Sequence, residues 1–145
     1  MAHLSENAFD CYPNLVPTMY ARYVDDIFLV VNSQKQLLHI KSYFESNSVL
    51  KFTYEEEKNN KIAFLDVLLT RTNQTIDTSV FTKPTASGDS INYNGICPEK
   101  YKVLTIKTLL HRAYDICSNW KLFHQEVVNM KQRLVNNNFP LKIFS

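Results

Sequence analysis

Two adjacent aspartates, Asp25 and Asp26, interrupt an otherwise β-forming run over residues 19–31. Tyr20 and Tyr23 precede the interruption, and the apolar run Ile27, Phe28, Leu29, Val30 and Val31 follows it. Like charges at adjacent positions repel, and removal from water disfavours both carboxylates, so the pair needs a counter-charge or exposure at a turn. The run is therefore predicted to fold back on itself as two strands around a tight turn at the Asp-Asp pair, because aspartate tolerates turn geometry. Successive strand side chains point to opposite faces, but a tight turn relaxes this and lets both carboxylates approach one side. Hard oxygen ligands held there suit Mg²⁺ or Mn²⁺, bound through one or two carboxylates plus substrate phosphates. In nucleotidyl transfer one such ion activates an attacking 3′-hydroxyl and a second steadies the leaving pyrophosphate. For a bare Asp-Asp dipeptide a plain surface turn is the simpler reading. The strands on both sides and the tyrosine two positions earlier favour the metal-binding hairpin.

The rest of the chain divides by its hydrophobic period. Residues 1–9 read as the end of a helix, with Leu4 and Ala8 four apart, and Pro13 and Pro17 then enforce an extended connection. Ser33 can cap a helix reaching about Asn47, with Leu37, Ile40 and Phe44 on one face. Phe52 and Tyr54 alternate with polar neighbours and predict a strand. Residues 58–61 (Lys-Asn-Asn-Lys) read as a turn, residues 62–71 as a second strand, Thr72, Asn73 and Gln74 as a turn, and residues 75–82 as a third strand. Three strands joined by short turns form a meander.

After the Ser-, Asn-, Gly- and Asp-containing loop of residues 84–98 the period changes to three and four. Val103, Ile106, Leu110, Ala113 and Cys117 make one helical face; Trp120, Phe123, Val127, Met130 and Leu134 make another. Ser118 or Asn119 caps the second helix, and Asn136, Asn137, Asn138 and Pro140 end it. The pair reads as an antiparallel helical hairpin. Trp120, Phe123 and Met130 are expected in its core.

Charge follows the same division. The net charge of +2 separates into −4 over residues 1–99 and +6 over residues 100–145, where only Asp115 and Glu126 oppose eight Lys and Arg. A basic helical tail can meet an anionic partner, or it can be a solvated face. Lys100, Lys107 and His111 fall on one flank of the first helix, and Lys121, Lys131 and Arg133 supply the second. Such residues would contact a nucleic-acid backbone without reading sequence; a base-reading helix-turn-helix and a packing module remain as alternatives.

Several classes are excluded. With 45% hydrophobic and 12% aromatic residues the chain is not disordered. Its two glycines, Gly88 and Gly95, provide no glycine-rich phosphate loop. No apolar run approaches the ~20 residues of a membrane span, and no signal peptide is visible. Cys11, Cys97 and Cys117 are odd in number and widely spaced, which fits a reduced intracellular chain better than a disulfide framework or a zinc site.

The text around the aspartates resembles a known family. Tyr23-Val24-Asp25-Asp26 is similar to the Tyr-x-Asp-Asp motif of reverse transcriptases, and residues 22–28 (Arg-Tyr-Val-Asp-Asp-Ile-Phe) resemble the Penelope-like retroelement branch. Phe64-Leu65-Asp66-Val67 resembles the motif that grips the primer end. Residues 81–85 (Phe-Thr-Lys-Pro-Thr) with Asn92-Tyr93, and then residues 109–113 (Leu-Leu-His-Arg-Ala) with Ile116-Cys117-Ser118, resemble the segments that follow. Met1, Leu4, Glu6 and Ala8 are similar to the preceding helix.

The resemblance implies an RNA-directed DNA polymerase, with Asp25 and Asp26 as catalytic metal ligands. It places Tyr23 against primer or template, and Phe64, Leu65 and Asp66 in the primer grip. An RNA template, a DNA primer and, with further regions, a deoxynucleoside triphosphate are the implied partners. The expected fold is α+β: a partial polymerase palm over residues 1–83 (antiparallel hairpin, helix, meander), a loop over 84–99, and a basic thumb-like or helix-turn-helix-like region over 100–145. The third palm carboxylate and the fingers are not found in the sequence, so weak Mg²⁺ binding rather than unaided polymerisation is expected. An intracellular, nuclear location is the expectation, although no basic cluster is dense enough to name as a signal.

Overall fold

A computed structural model describes residue 9 and residues 12–73, 75–84, 91–140 and 142. The helix expected over residues 1–9 lies, apart from Phe9, outside the described residues. The described chain is α+β, with two antiparallel sheets and three α-helices. It divides into two compact units, one ending at Glu56 and the other beginning at Glu57.

In the first unit a 3-10 turn, Pro13–Leu15, leads into β1 (Met19–Tyr23) and β2 (Asp26–Val30), followed by α1 (Gln34–Ser46). Ser33 caps α1 as its sequence predicts: its hydroxyl accepts from the Gln36 N–H at 3.3 Å. Gln36 also donates from Nε2 to the Val16 carbonyl at 2.8 Å, tying the helix to the segment before β1. The three-four spacing then buries Ile40 and Phe44. Against them pack Ile27 and Leu29 of β2, Leu15, and Phe52 from beyond the helix. Burying a side chain of this size contributes about 1.5–3 kcal/mol, so this small cluster is what holds the hairpin to the helix.

The strand expected at Phe52 and Tyr54 does not form. Residues 51–57 make no ladder; the Phe52 N–H donates instead to Glu45 Oε1 at 3.0 Å. Alternation brought Phe52 into the core, but no neighbouring strand is present among the described residues to complete the pairing.

The second unit holds β3 (Lys61–Phe64), β4 (Val67–Arg71) and β5 (Ile76–Val80) in the order β3-β4-β5, then α2 (Glu99–Ile116) and α3 (Trp120–Asn136). The meander has three strands, though not the expected three. The single strand predicted over residues 62–71 is a hairpin, folded at Leu65–Asp66 with Phe64 opposite Val67. Asn59 and Asn60, both at positive φ, make the turn that Lys58 and Lys61 close. This is the conformation asparagine favours in two-residue loops.

Asn119 caps α3, its Oδ1 accepting from the Leu122 N–H at 3.0 Å. Ser118 has another task. Its backbone N–H donates to the Thr78 carbonyl, and its hydroxyl accepts from the Thr78 N–H, both at 3.0 Å, so the connection between the helices is pinned to β5. The Thr78 hydroxyl completes the lock by donating to the Ile116 carbonyl at 2.6 Å, satisfying an end of α2.

At the other end of α3, Asn138 adopts a positive φ of 66°. The Phe139 N–H reaches back to the Leu134 carbonyl (3.0 Å) and the Asn138 N–H to that of Val135 (2.9 Å). This is a Schellman closure, sealed by contact of Phe139 with the core residue Leu134. Met130, Leu134 and Phe139 are buried, with Ile106, Leu109 and Leu110 of α2 packed against them.

Candidate metal-binding hairpin and basic helical face

The register of the first hairpin pairs Tyr23 with Asp26, leaving Val24 and Asp25 as the two turn residues. The turn thus falls one position earlier than expected: Asp25 sits in it, and Asp26 begins β2. Val24 carries the conformational cost, with φ at 54°. A β-branched residue at positive φ is an outlier, and holding one there costs on the order of 1–3 kcal/mol. Arg22 steadies the turn, its Nε donating to the Val24 carbonyl at 2.8 Å.

Cross-strand pairs share a face. Tyr20, Leu29, Arg22 and Ile27 lie on one side, with Ile27 and Leu29 in the core. Met19, Ala21, Tyr23, Asp26, Phe28 and Val30 lie on the other, where Met19, Tyr23 and Asp26 are exposed. Asp25 and Asp26 have neither an ion pair nor a side-chain hydrogen bond to the described residues. Asp25 and Asp26 are the residues that would hold a hard divalent cation, were one bound at this turn. Among the described residues no group of three or more His, Cys, Asp or Glu could complete a metal site, so further ligands would have to come from substrate phosphates or water.

The second hairpin has the same design. Phe64 is half-buried, Leu65 stands at a φ of 55°, and Asp66 follows it in the turn. Here the aspartate is engaged: Arg112 of α2 donates from Nε to Asp66 Oδ2 at 2.9 Å and from Nη2 to the Phe81 carbonyl at 3.5 Å. Arg112 carries no role in the sequence reading. The signal that could have found it is a cation between Leu109 and Ala113, on the flank of an apolar helical face.

On the helices, Lys100, Lys107, His111, Lys121 and Lys131 are all exposed. Lys100 Nζ lies 5.1 Å from the centre of the Tyr101 ring. Arg133 is different: it is half-buried and paired with Glu126, and its Nε is buried with no hydrogen bond from the described residues. Its guanidinium is engaged within α3 by Glu126.

Met130 is buried as its spacing predicts, but Trp120 is not a core residue; it is 65% exposed. It is the first residue of α3, beyond the stretch where α2 and α3 bury each other. Its ring stacks on Phe123 at 4.9 Å and 13°, and Phe123 meets Tyr114 of α2 edge to face at 6.3 Å. Tyr114 is itself 66% exposed. Sequence periodicity passes over it, because it falls one step beyond Ala113 and off the apolar stripe. Val103, expected on that stripe, is also exposed.

Residues 90–145 match the family described as the animal helix-turn-helix domain. No curated protein and no solved structure matches the chain. No helix among the described residues is long and apolar enough to cross a membrane.

Proposed function

We propose that the chain is a palm-and-thumb part of an RNA-directed DNA polymerase of the Penelope-like kind, working on an RNA template and a DNA primer. The observation that carries this reading is the tip of the first hairpin, where Tyr23-Val24-Asp25-Asp26 forms a tight turn with two exposed carboxylates that pair with no described residue. Asp25 and Asp26 would hold Mg²⁺ or Mn²⁺, Arg22 fixes the turn that presents them, and Tyr23 shares the outer face with Asp26. The bound ion would supply the positive charge that lowers the pKa of an attacking hydroxyl and steadies a leaving pyrophosphate. The helices would lie along the nucleic-acid backbone through Lys100, Lys107, His111 and Lys121.

The match over residues 90–145 supports nucleic-acid binding in that region and favours a second reading, a non-enzymatic nucleic-acid-binding protein. One titration separates the two. A labelled DNA primer annealed to an RNA template is titrated with the chain at two salt concentrations, with and without Mg²⁺. Both readings expect affinity to fall with salt. The polymerase reading expects a Mg²⁺-dependent component that Asp25→Asn and Asp26→Asn remove. An identical Mg²⁺ response in those variants would leave only the non-enzymatic reading, and no binding at all would remove both.

A further inference from the structure

Tyr114 and Trp120 are the most exposed large aromatic rings of the helical region, and nothing in the metal chemistry accounts for them. They do not stand apart. The Trp120 ring stacks on Phe123, whose edge-to-face contact with Tyr114 bridges α3 to α2, so the rings form one cluster across the end of the helix pair. Through Phe123 the two rings, each about two-thirds exposed, make one contiguous aromatic patch, and it is such a patch rather than a scattered exposed side chain that marks an interaction surface.

The charges nearby define that partner. Lys100, Lys107, His111 and Tyr114 lie seven, four and three residues apart, along one exposed stripe of α2. The stripe runs about 21 Å along the helix axis and ends at the ring cluster. Lys121 follows Trp120 directly at the start of α3 and is exposed. The acids near this edge are Asp115, exposed beside Tyr114, Glu99, exposed beside Lys100 and paired with Lys102, and half-buried Asp77, which accepts from Ser118 and Asn119. Glu126 of α3 is paired with Arg133. Two lysines and a histidine leading to open aromatic faces match an unpaired nucleic-acid strand, with phosphates along the stripe and bases on the rings. A duplex offers the same phosphates but keeps its base faces stacked internally.

We infer that Tyr114 and Trp120 form a base-stacking platform for a single-stranded nucleic-acid segment that runs along the Lys100–Lys107–His111 stripe. This rests on the nucleic-acid reading of the helices and adds a preference for unpaired strand. It differs from base-edge reading in a groove and predicts little sequence selectivity.

Trp120 is the chain's single tryptophan, so its emission reports on the platform directly. The full chain is titrated with a single-stranded oligothymidylate and with a blunt DNA duplex, followed by tryptophan emission and by anisotropy of the labelled nucleic acid. Single strand is expected to quench Trp120 on saturation and to bind more tightly than the duplex. Tyr114→Ala and Trp120→Ala are each expected to weaken single-strand affinity about tenfold, with helicity retained by circular dichroism. Saturable, salt-sensitive binding without quenching, or with unchanged affinity in both variants, overturns the platform while leaving backbone binding intact. Equal affinity and equal quenching by the duplex also overturns it. Failure of both nucleic acids to bind overturns the platform and the nucleic-acid reading together, and failure of the single strand alone overturns the platform. The quench is read on the unaltered chain, so a variant that fails to fold does not remove the test.

Discussion

The hairpins β1–β2 and β3–β4 close through two residues each, an apolar residue at positive φ followed by an aspartate: Val24–Asp25 in one, Leu65–Asp66 in the other. Around Asp66 the unit supplies Arg112, and the carboxylate joins the sheet to α2. Around Asp25 and Asp26 no described residue answers, and a second carboxylate adds repulsion. One turn geometry therefore serves two ends. Where a cation is built in, the aspartate is structural; at the first hairpin two carboxylates stand exposed without a partner among the described residues.

This contrast can be broken by stability measurements before any ligand is added. The largest expected effect is on the support of the first hairpin. Phe44→Ala should cost about 3–5 kcal/mol in denaturant unfolding and release amide-exchange protection along β1 and β2. Protection that survives there would mean the hairpin does not depend on α1.

The turns themselves come next. Val24→Gly should stabilise by about 0.5–1 kcal/mol, since glycine adopts positive φ freely and Val24 is 68% exposed, with little packing to lose. Leu65→Gly should gain less, because Leu65 is 41% exposed and gives up more contact. A loss of stability in Val24→Gly would show that the turn is held by packing rather than carried as strain.

The aspartates sharpen the comparison further. Asp66→Asn should cost up to about 1 kcal/mol, the range of a partly exposed ion pair. Asp25→Asn and Asp26→Asn should change stability by less than about 0.5 kcal/mol, with the sign toward stabilisation as repulsion is relieved. Equal losses at all three positions would erase the distinction between the hairpins.

The smallest effect is acid sensitivity at Glu45. The Phe52 N–H and the Lys41 ammonium hold its carboxyl below the ordinary glutamate range. A depressed folded pKa stabilises above the unfolded value, and that contribution disappears as pH falls through the folded one. Carbon-detected titration of Glu45 should show the low midpoint, and Glu45→Gln should flatten this part of the stability profile.

Much of the architecture is legible where side chains obey local rules. Ser33 and Asn119 cap their helices, Asn59 and Asn60 supply the positive φ their turn needs, and three-four spacing finds Ile40, Phe44, Met130 and Leu134. The failures share a cause, which is tertiary context overriding local pattern. Leu65 at positive φ hides a turn inside what reads as one strand, and the same device at Val24 moves the first turn one residue earlier. Phe52 alternates correctly but finds no ladder. Trp120 keeps the helical period yet sits at the end of its helix, past the partner that would bury it. Of the candidate site, the carboxylate pair was legible because charge inside a β-run is costly. Arg112 and Tyr114 were not, because each acts through a neighbour brought close only by folding.

The most direct measurement follows the aspartates of both hairpins by NMR during titration with Mg²⁺, with Mn²⁺ as a paramagnetic check. Shifts and Mn²⁺ broadening confined to Asp25, Asp26 and their neighbours, with Asp66 unmoved in its pair with Arg112, are the predicted result. Unchanged resonances at Asp25 and Asp26, or equal broadening at Asp66, would contradict the assignment of the first hairpin as a metal-presenting turn.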